Sequence, residues 1–129
     1  MKKALLVLLL LVMTTSVFGQ VTNKNVTFLW TAPGDDGPNG TASIYDIRYF
    51  TDTLDLINWA TATQVTGEPI PKVSGAAESF NTTLPLLEGV TYFFAIRTSD
   101  ETGNWSGLSN NVTSTFSDTS APGVIIDFR

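Results

Sequence analysis

Apolar and polar residues alternate along several short segments of this chain. Residues 25–31 place Val26, Phe28 and Trp30 on one side of an extended strand, and residues 90–99 keep the same alternation over a longer stretch. Further segments of this kind occupy residues 43–51, 59–65, 78–84 and 108–116. A period of two residues is that of a β-strand with one face buried and one face in water. The pattern predicts six short strands, with 59–65 the weakest, packed as an all-β sandwich.

Turn-forming residues separate these segments. The sequence Pro-Gly-Asp-Asp-Gly-Pro-Asn-Gly fills positions 33–40, and Pro69 and Pro71 bracket an irregular stretch. Glycine, proline, aspartate and asparagine favour turns because of their backbone freedom or their side-chain hydrogen bonds to the backbone. We therefore expect 33–40 to be a loop between the first two predicted strands.

The first residues have the layout of a secretory signal peptide. Lys2 and Lys3 precede an apolar run at 4–13, and Val-Phe-Gly at 17–19 places small residues at the positions that a signal peptidase reads. This pattern predicts a signal peptide at 1–19, with cleavage after Gly19. The alternative is a membrane anchor, although the apolar run is shorter than the roughly 20 residues that span a bilayer. A signal peptide predicts a secreted, extracellular or cell-surface protein that meets the membrane only through this transient segment.

Composition narrows the classes of function. The formal net charge is −5, and two of the seven basic residues lie in the predicted signal peptide. The remaining basic residues are scattered, so no basic stripe is available for a phosphate backbone and we expect no nucleic-acid partner. Cysteine is absent, so the core must hold the fold without disulfides. Histidine is also absent, which removes the commonest general base and the commonest metal ligand.

Six motifs occur in the order and spacing of a known domain. They are Val-Thr-Phe-Leu-Trp-Thr-Ala-Pro at 26–33, Gly-Asp-Asp-Gly at 34–37, Tyr-Asp-Ile-Arg-Tyr at 45–49, Leu-Leu-Glu-Gly-Val-Thr-Tyr at 86–92, Ala-Ile-Arg-Thr-Ser-Asp-Glu-Thr-Gly-Asn at 95–104 and Ser-Gly-Leu-Ser-Asn at 106–110. Over residues 25–116 the chain resembles the fibronectin type III domain, in the variety common in bacterial secreted proteins. The resemblance implies an immunoglobulin-like two-sheet sandwich in which the hydroxyl of Tyr92, at the E–F corner, bonds back to nearby backbone.

Two departures from the family pattern bear on the fold. The predicted signal peptide occupies most of the place of strand A and leaves only 20–24 for it, so strand A is expected to be missing or rudimentary. Glu88 stands where the E–F corner often carries proline, which is expected to loosen that turn slightly.

The last residues resemble the junction between tandem domains of this family. The resemblance divides the chain into a signal peptide at 1–19, a sandwich at 20–117 and, at 118–129, a linker with the possible first strand of a following domain. Two other possibilities stay open for the apolar residues 124–128. They could fold back onto the edge that a missing strand A leaves unpaired, or they could form a loose tail.

Acidic residues cluster in two of the predicted loops. The resemblance places the B–C and F–G loops at one end of the sandwich, which brings Asp35 and Asp36 near Asp100 and Glu101. Oxygen ligands of this kind suit Ca²⁺, so these four residues are the metal candidates. Ordinary turn chemistry is the alternative reading of the same residues. No other cofactor is expected.

Three further residues are candidates for ligand contact. Periodicity does not place Trp59 or Trp105 clearly inside, and the resemblance puts Trp105 in the F–G loop beside Asn104. An exposed tryptophan can stack on a sugar ring or anchor a protein partner. Packing over the edge of the sandwich is the alternative for both tryptophans.

The sequence offers no arrangement of catalytic groups. Without histidine, the many serine and threonine residues lack the usual partner base. We therefore expect no catalytic residue and a non-catalytic spacer or protein-interaction module of a secreted or cell-surface multidomain protein. The alternative is a carbohydrate-binding or adhesive accessory module attached to a secreted hydrolase. The expected partners are neighbouring domains of the same chain and, for either function, an extracellular protein or polysaccharide.

Overall fold

The computed structural model describes residues 19–117, which form six β-strands. They are β1 (Val21–Thr31), β2 (Ile44–Phe50), β3 (Thr63–Gln64), β4 (Ala77–Leu87), β5 (Thr91–Ser99) and β6 (Val112–Thr115). Strands β1 and β4 form one antiparallel sheet, and the second antiparallel sheet has the order β3-β2-β5-β6. The predicted all-β, two-sheet sandwich is confirmed. The predicted signal peptide, apart from Gly19, and the predicted linker at 118–129 lie outside the described residues.

The two sheets differ in how their strands are paired. Strand β5 lies between β2 and β6, with Ile96 opposite Ile47 and Thr91 opposite Thr115. Strand β1 pairs with β4 over its whole length, but no strand among residues 19–117 pairs with its other edge. The predicted first strand therefore begins earlier than expected, at Val21, because the residues left for a rudimentary strand A extend β1 instead of forming a separate strand. No helix in this part of the chain is long and apolar enough to cross a membrane.

The main core fills the space between the sheets. Ile47, Tyr92 and Phe94 from the four-stranded sheet are nearly inaccessible to solvent, as is Leu86 from β4. Phe28 of β1 meets Phe94 edge to face with ring centroids 5.5 Å apart. Edge-to-face aromatic pairs contribute about 0.5–1.5 kcal/mol beyond their buried area, which suits a core without disulfides.

A second core covers the outer face of the four-stranded sheet. Leu54, Trp59, Ala62 and Ala95 are all buried there, with Phe50 and Leu108 packed against them. Ala95 lies on the outward face of β5, where the segment at 52–62 covers it. Strands β2 and β5 of the four-stranded sheet are therefore covered on both faces.

The segment around Trp59 corrects the prediction of a strand at 59–65. Only Thr63 and Gln64 are paired as a strand, and the preceding residues form turns. The Asp55 carboxylate accepts hydrogen bonds from the amides of Ile57 and Asn58, and the Trp59 amide donates to the Asp55 carbonyl. These short-range bonds stabilise a turn instead of an extended strand, and the turn directs the Trp59 ring onto the sheet.

The corner between β4 and β5 has the predicted tyrosine contact. The Leu87 amide donates a 3.0 Å hydrogen bond to the Tyr92 hydroxyl. Glu88, at the position noted for its departure from proline, accepts hydrogen bonds from Lys24 and Thr22 at 3.0 Å each. Glu88 thus connects this corner to β1.

Candidate functional site

Two loops meet at the end of the sandwich where β1 and β5 finish. The loop at 32–43 follows β1, and the loop at 100–111 follows β5. Together they border a shallow cavity of about 180 Å³. We call this end the acidic pole because it brings Asp35 close to Asp36, Asp100 and Glu101. The predicted convergence of the four acidic candidates at one end is therefore present.

The acidic pole opposes the ionisation of Asp35. Burial raises the pKa of the Asp35 carboxyl, and the neighbouring Glu101 carboxylate raises it further. Atom Oδ1 of Asp35 is buried without a hydrogen-bond partner among the described residues. Gly34 fits here because a Cβ atom at this position would lie 2.3 Å from the Gly37 carbonyl oxygen and 2.4 Å from that of Asn39.

The Asp100 carboxylate forms hydrogen bonds within its own loop and stabilises that loop. Its carboxylate accepts hydrogen bonds from the amides of Thr102 and Asn104 at 2.9 and 2.8 Å, and from the Asn104 side-chain amide at 2.6 Å. The Asn104 side chain and backbone, followed by Thr102, lower the pKa of Asp100 to about 2. Asn104, predicted as a ligand contact, therefore holds the loop through its side chain.

The geometry of the acidic pole is that of paired turns. Backbone bonds between Asp36 and Asn39 close the first loop, and the bonds to Asp100 close the second. Within residues 19–117, no group of three or more aspartate, glutamate, histidine or cysteine side chains is arranged to hold a metal ion. Asp35, Asp36, Asp100 and Glu101 thus share one pole without forming a cation cage.

Trp59 and Trp105 take part in one stack with two arginines, which we call the Trp–Arg stack. The guanidinium of Arg97 lies 4.2 Å from the ring centroid of Trp105 and 5.1 Å from that of Trp59. Arg48 lies 5.3 Å from the Trp59 centroid. Such contacts between a cation and an aromatic face are attractive. The stack runs from the outer face of the four-stranded sheet to the acidic pole.

Only one tryptophan of the Trp–Arg stack is accessible to a partner. Trp59 is 4% exposed, and its indole nitrogen donates to Asp46 at 3.2 Å. This burial removes Trp59 from the surface positions that could contact a ligand. Trp105 is 42% exposed, with Arg97 over its ring. Of the two predicted aromatic contacts, Trp105 is the one that solvent reaches.

Two buried carboxylates were not singled out from the sequence. Asp46 is 3% exposed and forms ion pairs with Arg48 at 2.9 Å and with Arg97 at 3.3 Å. The signal was present in the alternation at 43–51, since Asp46 and Arg48 share the face opposite the core and Arg97 lies opposite Asp46 in the register. Asp46 therefore holds the Trp–Arg stack in place through a hydrogen bond from Trp59 and ion pairs with Arg48 and Arg97.

Glu78 of β4 is the second buried carboxylate. It is 3% exposed, accepts hydrogen bonds from the Lys72 amide at 2.7 Å and the Tyr45 hydroxyl at 3.3 Å, and pairs with the Lys72 ammonium at 3.3 Å. Burial, with the Glu78 charge nearby, raises the pKa of Tyr45. Both buried carboxylates are thus saturated by partners from the chain itself, which is typical of structural groups.

Comparison with curated proteins finds similarity over most of the chain. Calcium-activated chloride channel regulator 1 of the pig, Sus scrofa, is 37% identical over 90 residues, which are 66% of this chain and 10% of that protein. The protein of the same name in the mouse, Mus musculus, is 37% identical over 103 residues, which are 74% of this chain and 11% of that protein. The chain spans about a tenth of the length of these relatives.

Comparisons with protein families and with solved structures find no relative. No protein-family model matches the chain. No solved structure matches it. The two relatives are secreted or cell-surface proteins, so the similarity indicates an extracellular location. The similarity is thus to a segment of a large extracellular protein, and that segment corresponds here to a β-sandwich.

Proposed function

We propose that the chain provides a non-catalytic, fibronectin type III-like module of an extracellular protein, acting as a spacer or as a protein-interaction element. The observation that carries this proposal is the 37% identity to segments of two extracellular proteins, joined to an all-β sandwich. The Tyr92 corner supports the fibronectin type III assignment, since a tyrosine at this corner is a feature of immunoglobulin-like sandwiches. The module presents its loops at the acidic pole to any partner.

The pairing of charged groups supports a non-catalytic role. Catalytic acids and bases need access to a substrate and a pKa matched to proton transfer. Asp46 and Glu78 are buried and saturated by protein partners, and Asp100 is held by its own loop. Asp35, beside Glu101, is the remaining carboxyl with a raised pKa, and Asp35 borders a shallow cavity.

Turnover measurements test the non-catalytic role. The secreted chain is assayed against chromogenic glycoside, ester, peptide and phosphodiester substrates beside the double variant Asp35→Asn, Glu101→Gln. We expect no turnover above buffer from either protein. Turnover by the wild-type chain that the double variant loses would show that the carboxylate pair is catalytic, and would overturn the proposal.

Interaction through the acidic pole has its own test. The wild-type chain and the loop variant Trp105→Ala are compared for binding to the extracellular matrix proteins of cultured epithelial cells. A protein-interaction element is expected to lose binding in Trp105→Ala and to keep it in Ile57→Ala, an exposed apolar control outside the pole. Equal binding by both variants would exclude the pole as the interaction surface and leave the spacer role.

The accessible ring of Trp105 favours a second candidate, a carbohydrate-binding module. A sugar stacked on an exposed tryptophan changes its fluorescence. Titration with xylo-, cello- and chito-oligosaccharides is therefore expected to change the emission of the wild-type chain but not that of Trp105→Phe. An unchanged wild-type spectrum at millimolar oligosaccharide would exclude this candidate.

A further inference from the structure

An apolar groove runs along the side of the sandwich where the two sheets do not meet. It encloses about 480 Å³ between β1 on one side and β5 with β6 on the other. Val26, Phe28 and Trp30 of β1 point towards the interior but are only half-buried. The groove is therefore a gap in the main core, bordered by the edge of β1 that no described strand pairs.

Val112 of β6 shows how incomplete the core is along this groove. It lies opposite Phe94 in the sheet, so both side chains share the inward face. Phe94 is 6% exposed, whereas Val112 is 60% exposed. An inward apolar side chain left in solvent, next to an unpaired strand edge, is a surface that natural proteins usually cover.

Phe116, which follows β6, lies at one end of this groove. The Glu88 amide donates to the Gln20 carbonyl at 3.1 Å, and the Gly89 amide donates to the Phe116 carbonyl at 2.7 Å. Adjacent residues of one turn thus hold both the start of β1 and the end of β6. A chain that reverses after Ser117 would run back between β1 and β6, parallel to the first and antiparallel to the second.

We propose that residues 124–128, Val-Ile-Ile-Asp-Phe, occupy the groove and pair with the unpaired edge of β1. About four residues suffice to reverse a chain, and each extended residue adds about 3.3 Å. Residues 122–129 could then reach about 26 Å, which exceeds the roughly 20 Å of groove between Asn25 and Trp30 at the same rise per residue.

The alternation of these residues decides which side faces the groove. Val124, Ile126 and Phe128 form one face, and Ile125 and Asp127 form the other. Facing Asp127 inward would bury an unpaired carboxylate in an apolar site, which is strongly unfavourable. The face of Val124, Ile126 and Phe128 therefore contacts Phe28 and Val112, and Asp127 remains in solvent.

Amide hydrogen exchange on the whole chain tests this proposal with a matched pair of variants. Ile126→Asp places a charge on the inward face, and Ile125→Asp places the same charge one residue away on the outward face. In the wild-type chain, the β1 amides that do not bond β4 are expected to be protected. We expect them to exchange at least tenfold faster in Ile126→Asp and at the wild-type rate in Ile125→Asp.

Several outcomes would overturn the proposal. Unprotected edge amides in the wild-type chain, or equal acceleration in both variants, would show that residues 124–128 do not cover β1. Protection that rises with protein concentration would assign the groove to a second copy of the chain. Protection that depends on residues 1–19 and not on Ile126 would assign it to the N-terminal segment.

Discussion

Strand β1 of the two-stranded sheet and the central strands β2 and β5 of the four-stranded sheet have similar patterns but unequal burial. In the four-stranded sheet, Tyr45, Ile47 and Phe94 face the interior with 8% exposure or less, and Trp59 closes the outer face. In the two-stranded sheet, every inward residue from Val26 to Trp30 is only half-buried. The alternation of apolar residues is equally regular in β1 and in β2. Periodicity thus reveals which face of a strand points inward, whereas the elements packed against that face decide how far it is buried. Leu84 and Leu86 of β4 are buried although β4 also has a single neighbouring strand.

The largest expected difference between the sheets is the cost of removing an aromatic ring. Phe94→Ala is expected to lower the free energy of unfolding by about 3–5 kcal/mol, the range for a fully buried phenylalanine. Phe28→Ala should cost about half as much, because the Phe28 ring already meets solvent. Urea unfolding at equilibrium measures both values, with Leu29→Ala on the outward face of β1 as the control, expected within about 0.5 kcal/mol of wild type. Equal costs for Phe94 and Phe28 would contradict the unequal coverage.

The outer face of the four-stranded sheet provides the next largest effect. Asp46→Asn removes the charge that pairs with Arg48 and Arg97, and we expect a loss of about 2 kcal/mol, since unpaired partners of a buried ion pair are costly. Both arginine side chains are about a fifth exposed, which limits the loss. Asp52→Asn, on an exposed turn, is the matched control and should stay within about 0.5 kcal/mol. A neutral Asp46→Asn would mean that the Trp–Arg stack does not depend on this carboxylate.

A smaller effect is expected where the corner at Glu88 meets the two-stranded sheet. The Lys24–Glu88 pair spans 3.0 Å with both side chains partly exposed, so Glu88→Gln should cost about 0.5–1 kcal/mol. The loss should shrink at high salt because screening weakens the wild-type pair. A double-mutant cycle with Lys24→Gln measures the coupling directly. Additive single effects would show that β1 is not held at this corner by the ion pair.

The smallest expected effect is a pH dependence at the acidic pole, which lies outside both sheets. The folded-state pKa of Asp35 is raised above its ordinary 3.8, so ionisation of Asp35 destabilises the fold as pH rises through that raised value. Asp35→Asn should therefore stabilise the chain at pH 7, and the gain should vanish below pH 3.8. Thermal unfolding between pH 3 and pH 7 measures the difference.

Asp100 supplies a test of opposite sign. Its folded-state pKa is lowered to about 2, so its contribution is complete above pH 3.8 and is lost as pH falls through about 2. Asp100→Asn should therefore destabilise the chain at pH 7. Two variants with the same sign of effect at pH 7 would contradict the different surroundings assigned to these carboxylates.

The sequence predicted β2 and β5 well because their alternation is local, whereas the bounds of β1, β4 and β6 differ from the predicted ones by up to four residues at one end. The predicted segments at 43–51 and 90–99 match β2 and β5 to within one residue at each end, and the Tyr92 corner was predicted from its motif. The strand expected at 59–65 was wrong for a reason that was also local, since the bonds of Asp55 form a turn before Trp59.

The candidate site was predicted less completely because it depends on contacts between distant segments. The loops that hold Asp35 and Glu101 did converge as predicted. The burial of Trp59 could not be read from periodicity, because a turn outside the strands delivers its ring to the sheet. The exposure of Val112 was equally hidden, since it reflects a missing neighbour and not any property of β6.

The most direct test of the account is a set of nuclear Overhauser contacts from two rings on opposite faces of the four-stranded sheet. The ring protons of Phe94 are expected to contact those of Phe28 across the core, since their centroids lie 5.5 Å apart. The ring protons of Trp59 should contact the side chains of Arg48 and Arg97 and none of Phe28. A spectrum without the contact between Phe94 and Phe28, or with Trp59 against Phe28, would contradict a sandwich in which β2 and β5 are covered on both faces.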